Sequence, residues 1–532
     1  MRDVLRDRQQ WGREVMVSTG SPAATLAALD VLDIGGNAFD AAIAASAVLT
    51  VTLPMACGPA GDAAVVFRTA DAPHASSLIS LGRAPQAADP AAYRSRGHAT
   101  VPETGILSVS TPALIDAWYA LHRRHATLSL ERLLEPAFRL AAEGTVITGQ
   151  AARWGKSNLE YLAQSEFQSQ YSVFGSPQAV GSVLVQPGLA RLYTLVAEHA
   201  DHPERLRAVI GRAVEKAGAD LGGLIRATDC LADHAEFGIA PTQRVGDHTV
   251  ATTPAPTQGP LLLQNLALYQ RLSSGAQLDT PAGIHLLAEI VNQTYGWRLR
   301  RLGDPALGCD PDALDPGVLA ELAAAVDPDR RSASRCLGHY HQGDTTQFSI
   351  LDREGNGVSW VQSLGLGFGS GVGVPELGLL LCNRVGRSST LQQGEPNSVA
   401  PGRRPVNTIL PWLTSGADGL RHLGGTPGGD GQTQWNAQVL IRLLLDGCDP
   451  LQALSLPRWT YYPGSDKAEA GMALQLRVDA HMPADTVAEL GARGHDVVPK
   501  ASVGGVVRVV ERAGGFTYGL DEGRHEGLTA GR

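Results

Sequence analysis

With 532 residues, 43% of them hydrophobic, the chain is long enough to bury one large layered core or two ordinary ones. Its net charge of −9 is spread thinly and leaves no basic stripe for nucleic acid, so a small neutral or acidic partner is expected instead. Six scattered cysteines without a C-x-x-C pair signal neither disulfides nor zinc, the charged N-terminus is no signal peptide, and no run is apolar enough to span a bilayer, which together predict a cytoplasmic protein with mostly buried free thiols.

Ala23 to Asp33 reads as a helix stopped by Gly35-Gly36, and Ala38 to Val51 as a second helix whose small residues allow close packing. The turn Gly58-Pro59-Ala60-Gly61-Asp62 leads into short runs with strand character, Ala63 to Arg68 and Ser77 to Leu81. Leu130, Leu133, Leu134, Ala137, Phe138 and Ala141 have helical spacing, with a start signal at Ser129 and Gly144 at the end. Gly188 to Gly218 is also helical, and the loop Thr252 to Pro260 precedes a helix from Leu261 to Leu272. His285 to Leu302 reads as a helix with Trp297 to Arg301 on its exposed side. The Pro-, Asp- and Ala-rich stretch from Asp304 to Ser334 reads as a connector.

The connector leads to Gly343-Asp344-Thr345-Thr346-Gln347-Phe348-Ser349-Ile350, where the character changes. Phe348, Ile350, Val358 and Val361 flank the turn Asp352 to Gly357, so Thr345 begins one strand of a hairpin. A cut before Thr345 would place a hydroxyl nucleophile and an α-amine base on one residue. Further on, the turn Gly424 to Gly431 precedes a helix from Thr433 to Leu445, whose first amides point at whatever sits in that turn. Ala484 to Leu490 is a last helix among strand-like runs. This mixture suits an α/β (α+β) arrangement of sheets covered by helices.

Several stretches in one order resemble the gamma-glutamyltransferase family of N-terminal nucleophile hydrolases, from about Val17 to the C-terminus. They include Gly35-Gly36-Asn37-Ala38-Phe39-Asp40, Leu134-Glu135-Pro136-Ala137, Ile284-His285-Leu286-Leu287-Ala288-Glu289, Leu302-Gly303-Asp304-Pro305, Thr345-Thr346, Phe368-Gly369-Ser370-Gly371, Arg404-Pro405, Pro427-Gly428-Gly429 and Pro457-Arg458. The resemblance implies a four-layer αββα sandwich made as one precursor and self-cleaved before a threonine. Here that means a large chain 1–344 and a small chain 345–532. It further implies Thr345 as nucleophile with its freed α-amine as base, Ser363 as the hydroxyl bonded to it, and the Gly428 and Gly429 amides as oxyanion hole. An α-amine has a reference pKa of about 7.7–8.0, which suits that role near neutral pH.

The chain departs from the family in its substrate pocket. The family's carboxylate-binding arginine aligns with Leu81, though Arg83 could swing in to replace it. The family's acidic residue for the substrate amine aligns with Arg387, which could equally be a solvated surface charge. A substrate-binding asparagine aligns with Gly365, paired serines with Asn407 and Thr408, and a histidine with Gln347. Reversing a charge at Arg387 repels an ammonium and attracts a carboxylate. The expected reaction is hydrolysis or transfer of a small acidic, non-glutamyl acyl group, such as an oxalyl or 2-oxo acid unit. Relatives in this family cleave oxamate, or remove an acidic fragment by C–C hydrolysis while making alkylproline building blocks of antibiotics. The alternatives are a true γ-glutamyl hydrolase and a non-catalytic binding homologue. A nucleotide-dependent enzyme has no adequate loop, since Gly428-Gly429 lacks a following Lys-Ser/Thr and the Gly365 to Gly373 run matches a dinucleotide fingerprint only loosely. No cofactor or metal is expected, and His285 and His341 read as packing or surface residues.

Overall fold

The structure, a computed structural model, describes residues 8–162, 167–309, 312–333, 344–463 and 474–532. Cys336, His341 and Gly343 lie outside the described residues. In chain order the strands that frame the site are β1 (Gln9–Gly12), β2 (Met16–Thr19), β3 (Asp62–Arg68), β4 (Ser76–Ser80), β5 (Ala235–Ile239), β6 (Thr242–Val245) and β7 (His248–Thr252). They continue with β8 (Asp344–Leu351), β9 (Gly357–Gly365), β10 (Trp412–Gly416), β11 (Gly419–Gly425), β12 (Arg508–Ala513), β13 (Phe516–Asp521) and β14 (Leu528–Gly531). The helices used below are α1 (Pro22–Asp33), α2 (Ala38–Thr52), α3 (Leu114–His125), α4 (Leu130–Glu143), α5 (Gly259–Leu272), α6 (Pro281–Arg301), α7 (Arg384–Ser388) and α8 (Gly431–Leu444).

Two seven-stranded sheets form, in the orders β14-β2-β8-β9-β3-β4-β5 and β1-β13-β12-β11-β10-β7-β6. Successive side chains on a strand point to opposite faces, and here each adjacent apolar pair is divided between two cores. In the first sheet Val17, Val65 and Ile350 join a core with α1 to α4, whereas Met16, Val66 and Leu351 face the other sheet. In the second sheet Val250, Trp412 and Val509 join α5, α6 and α8, whereas Ala251, Leu413 and Val510 face inward. The result is four layers, helix–sheet–sheet–helix, as the sequence leads one to expect.

The local signals hold at most boundaries. Asn37 caps α2 through a capping box, Ser129 caps α4, and Gly144 follows α4 at φ +106°, a conformation that favours glycine. The β8–β9 hairpin pairs Phe348 with Trp360, and their rings stack with centroids 5.5 Å apart. In its turn, Asp352 accepts from the Asn356 amide at 2.8 Å and, with its other oxygen, from the Ala38 amide at 2.8 Å, tying the hairpin to the start of α2.

Two expectations need correction. The connector contains a nine-residue helix, Pro316–Ala324, started by Asp315 accepting from the Gly317 and Val318 amides and anchored by buried Leu322. Its proline is at the first turn, where the missing N–H costs nothing, so the Pro-rich composition misleads. Trp297 and Arg298 are also buried rather than exposed, in a helix that is packed by α5, by the helices Pro316–Ala324 and Ala484–Ala492 and by the strand Trp459–Tyr462. No helix among the described residues is long and apolar enough to cross a membrane.

Candidate active site

Thr345 is 2% exposed and sits near the start of β8, paired with Ser363 of β9, which pairs in turn with Asp62 of β3. Directly opposed residues of neighbouring strands point to the same face. Thr345, Ser363 and Asp62 therefore form one polar row facing the second sheet. The register shifts between Asp344 and Thr345, where Gly365 opposes Asp344 and Leu364 is left over between them. Such a bulge re-aims side chains and interrupts the ladder. It falls at the bond that the sequence marks for cleavage.

The Thr345 hydroxyl donates to Ser363 Oγ at 3.1 Å, and the Gly365 amide donates to the same oxygen at 2.9 Å. Gly365 has φ +97°, and a Cβ there would lie 2.1 Å from Asn383 Oδ1. Asn383 Oδ1 instead accepts from the Leu366 amide at 3.0 Å, and its Nδ2 donates to the Glu103 carbonyl at 2.8 Å. The amide group of Asn383 thus fills the space beside position 365.

Asp62 is fully buried and has four partners. Its carboxylate accepts from the Gly82 amide at 2.8 Å, Asn407 Nδ2 at 2.7 Å, Arg384 Nε at 3.0 Å and the Cys382 thiol at 3.5 Å. A buried carboxylate persists when paired and fully hydrogen-bonded, as here. Neither Asp62 nor Arg384 was singled out from the sequence. The available signals were an aspartate opening the apolar strand Ala-Ala-Val-Val-Phe and an arginine directly after Cys382-Asn383.

Ser359 Oγ donates to the Gly424 carbonyl at 2.8 Å, and Gln347 packs against Gly425, so β11 crosses the Ser349–Ser359 rung and then the Gln347 level. The chain leaves β11 heading for the Thr345–Ser363 row, into the turn Thr426 to Asp430. Gly428 (φ +124°) and Gly429 (φ +54°) turn sharply there, and a Cβ on Gly428 would meet the Trp435 ring at 2.3 Å. Neither glycine's amide donates to a backbone carbonyl among the described residues. Asp430 begins the following helix, its side chain accepting from Gln258 Nε2 at 2.6 Å, with Arg298 Nη2 3.9 Å away.

The remaining candidates separate into two groups. Arg387, 4% exposed, lies on α7 one turn after Arg384, which overturns its reading as a solvated charge. Asn407 reaches the polar row through Asp62, and Thr408 beside it is buried. Gln347 turns into the gap between the sheets, donating to Ser349 Oγ at 2.9 Å. Arg83 is turned away, its guanidinium 3.1 Å from Glu236 Oε1, and Glu236 also pairs with Arg404 at 2.6 Å. Leu81 packs with Ala64, Ile79, Val361 and Ile409, so an apolar cluster stands where the family's arginine was expected.

Burial raises the Asp304 pKa, but hydrogen bonds from Arg404 outweigh it and hold the carboxyl below its ordinary range. Burial pushes the thiols of Cys57, Cys230 and Cys382 up to about 12, which makes them poor competitors for the nucleophile's role.

Residues 24–531 match the family model for gamma-glutamyltranspeptidase. The chain is 30% identical to the oxamate amidohydrolase proenzyme of Klebsiella pneumoniae, with 96% of each chain covered. It is 28% identical to the glutathione hydrolase-like YwrD proenzyme of Bacillus subtilis, covering 98% of this chain and 99% of that one. The crystal structure of cephalosporin acylase from Bacillus halodurans superposes with a TM-score of 0.87 at 26% identity, over 98% of this chain and 97% of that one. The fold, the row at Thr345 and these likenesses agree: the chain belongs to the gamma-glutamyltranspeptidase family and is an enzyme of the N-terminal nucleophile hydrolase type.

Proposed function

We propose that the chain is a proenzyme that cuts itself between Asp344 and Thr345, and that the mature enzyme hydrolyses a small acidic acyl amide, of the oxalyl or 2-oxo acid kind, without accepting γ-glutamyl groups. In processing, Thr345 Oγ attacks the Asp344 carbonyl carbon and the acyl group moves from nitrogen to oxygen. Water then hydrolyses the ester, leaving a carboxylate on Asp344 and a free amine on Thr345. In turnover that amine takes the hydroxyl proton as Oγ attacks the substrate carbonyl. The developing oxyanion is met by the Gly428 and Gly429 amides, each donor contributing about 2.7–4 kcal/mol by the measure of other acyl-transfer sites. The protonated amine gives its proton to the leaving nitrogen, and water releases the acid. Ser363, accepting from Thr345 Oγ at 3.1 Å, orients the nucleophile.

The observation that carries the substrate class is α7, which places the buried Arg387 one turn after Arg384, the ion-pair partner of Asp62, beside the end of the strand bearing Ser363. Buried positive charge attracts a carboxylate and repels the ammonium that every γ-glutamyl group carries. The apolar surroundings of Leu81 support the same reading, as does the oxamate amidohydrolase relative.

Mass spectrometry of the purified protein tests the processing. Fragments of roughly 36 and 20 kDa, the smaller beginning at Thr345, are expected from the residue division. A single uncut chain, unaltered by Thr345→Ala, would instead fit a binding homologue. For the substrate, turnover of oxamate is compared with that of γ-glutamyl-p-nitroanilide. Equal or better use of the γ-glutamyl compound overturns the proposed specificity.

A further inference from the structure

On α6, His285 and Glu289 lie one turn apart on the same face, and both are fully buried. His495, buried after the helix Ala484–Ala492, approaches them from the C-terminal part of the chain. One ligand atom from each of the three lies within 4.8 Å of the other two. We propose that His285, Glu289 and His495 form a binding site for a divalent transition-metal ion of the zinc class, one that joins the 1–344 and 345–532 parts of the protein.

Two of the three ligands, His285 and Glu289, are oriented from outside the cluster. His285 Nε2 lies 3.0 Å from the Asp327 carbonyl, which accepts but cannot donate, so that nitrogen carries the proton and Nδ1 keeps its lone pair toward His495. Glu289 Oε2 accepts from the Ser332 amide at 3.1 Å and from the Ser332 hydroxyl. The second carboxylate oxygen, Oε1, is buried and finds no hydrogen-bond donor among the described residues. An imidazole nitrogen fixed by a carbonyl, beside a carboxylate held by one oxygen, is the supporting arrangement of metal ligands. Two imidazoles and one carboxylate suit zinc and its neighbours rather than magnesium or calcium, which take oxygen ligands.

His285 Nδ1 and His495 Nε2 are 2.8 Å apart, a hydrogen-bond distance. Two nitrogens about 2.0–2.1 Å from one tetrahedral ion lie about 3.3 Å apart, so metal uptake opens the pair by roughly half an ångström. Segment 327–333 is also tied to the His495 loop. The Arg331 amide donates to the Arg493 carbonyl at 2.9 Å, and Arg493 Nη1 donates to the Pro328 carbonyl at 3.1 Å. Binding does not depend on cleavage at Thr345. The ion's role as a link between separate chains rests on that reading.

The test uses the full chain, both wild type and the uncut Thr345→Ala variant, stripped with a chelator and titrated with cobalt(II) alone. One equivalent with the visible bands of tetrahedral cobalt is expected in both, competed away by zinc. Loss of those bands in Glu289→Gln and His495→Ala, with circular dichroism unchanged, supports the site. Metal-free wild type that never develops the bands shows that the cluster is only a histidine–histidine hydrogen bond and overturns the proposal. Bands that persist in both variants place the ion elsewhere and overturn it equally. Should a variant fail to fold, the wild-type titration followed by its zinc-dependent melting shift decides. Cobalt binding in Thr345→Ala but no cutting of the wild type would defeat the processing reading and leave the metal site standing.

Discussion

The gap between the two sheets has two ends of opposite character, and the same pair of strands, β8 and β9, supplies both. At the hairpin end Leu351 packs with Met16, Val66, Leu413, Leu423 and Val510 in a small apolar cluster. At the other end Thr345, Ser363 and Asp62 form a polar row with Arg384 and Asn407 against it. Between them Gln347, Ser349 and Ser359 make the transition. The apolar end packs the two sheets together, and the polar end carries the candidate nucleophile, so rigidity and a candidate site share one layer.

Substitutions at the two ends should therefore fail differently. The largest effect belongs to Thr345→Ala, which leaves an intact fold and abolishes both chain cutting and turnover, as seen by electrophoresis and by assay of product. Gly428→Ala pushes a methyl group into Trp435 at a backbone angle that disfavours any side chain. A fall of roughly 100- to 1000-fold in kcat is expected, with the KM changed much less. Asp62→Ala leaves the Arg384 guanidinium buried without its carboxylate, and a stability loss of about 3–5 kcal/mol in urea melts is expected. At the apolar end, Leu413→Ala should cost about 2–5 kcal/mol and leave the kcat of the protein that remains folded unchanged. A kcat as sensitive to Leu413→Ala as to Gly428→Ala would erase the distinction between the two ends.

The smallest effect is a pH dependence at His422, on β11 near the apolar end. Its ring bonds Thr414 Oγ1 at 2.8 Å, and burial depresses its pKa to about 3. An unfolded histidine titrates near 6.5, so below that pH the unfolded state binds the extra proton. Stability from this group is present above about 6.5 and declines as the pH falls toward 3. Urea melts at pH 7.5 and 5.0 should show a loss that His422→Gln reduces.

Much of this could be read along the chain. Capping residues and glycine stops placed α1, α2 and α4 within a residue or two, since those signals act over one helical turn. The alternation around Asp352 to Gly357 identified the β8–β9 hairpin for the same reason. The helix Pro316–Ala324 was hidden by composition, and the burial of Trp297 and Arg298 by an all-round use of α6 that no periodicity reports. Arg387 had no burial to read until α7 was packed: a Cβ on Gly386 would fall 2.4 Å from the Pro102 carbonyl.

By itself the sequence indicated the layer order, the family and the candidate nucleophile Thr345, because strand period, turn chemistry and motif order are local properties. Only the tertiary structure decided what surrounds that threonine. Asp62 meets Arg384 across 322 positions and Asn407 across 345, and His285 meets His495 across 210. Such pairs exist because two sheets and their helices close on one another, and their charges are tolerable only where that closure brings a partner within hydrogen-bond reach.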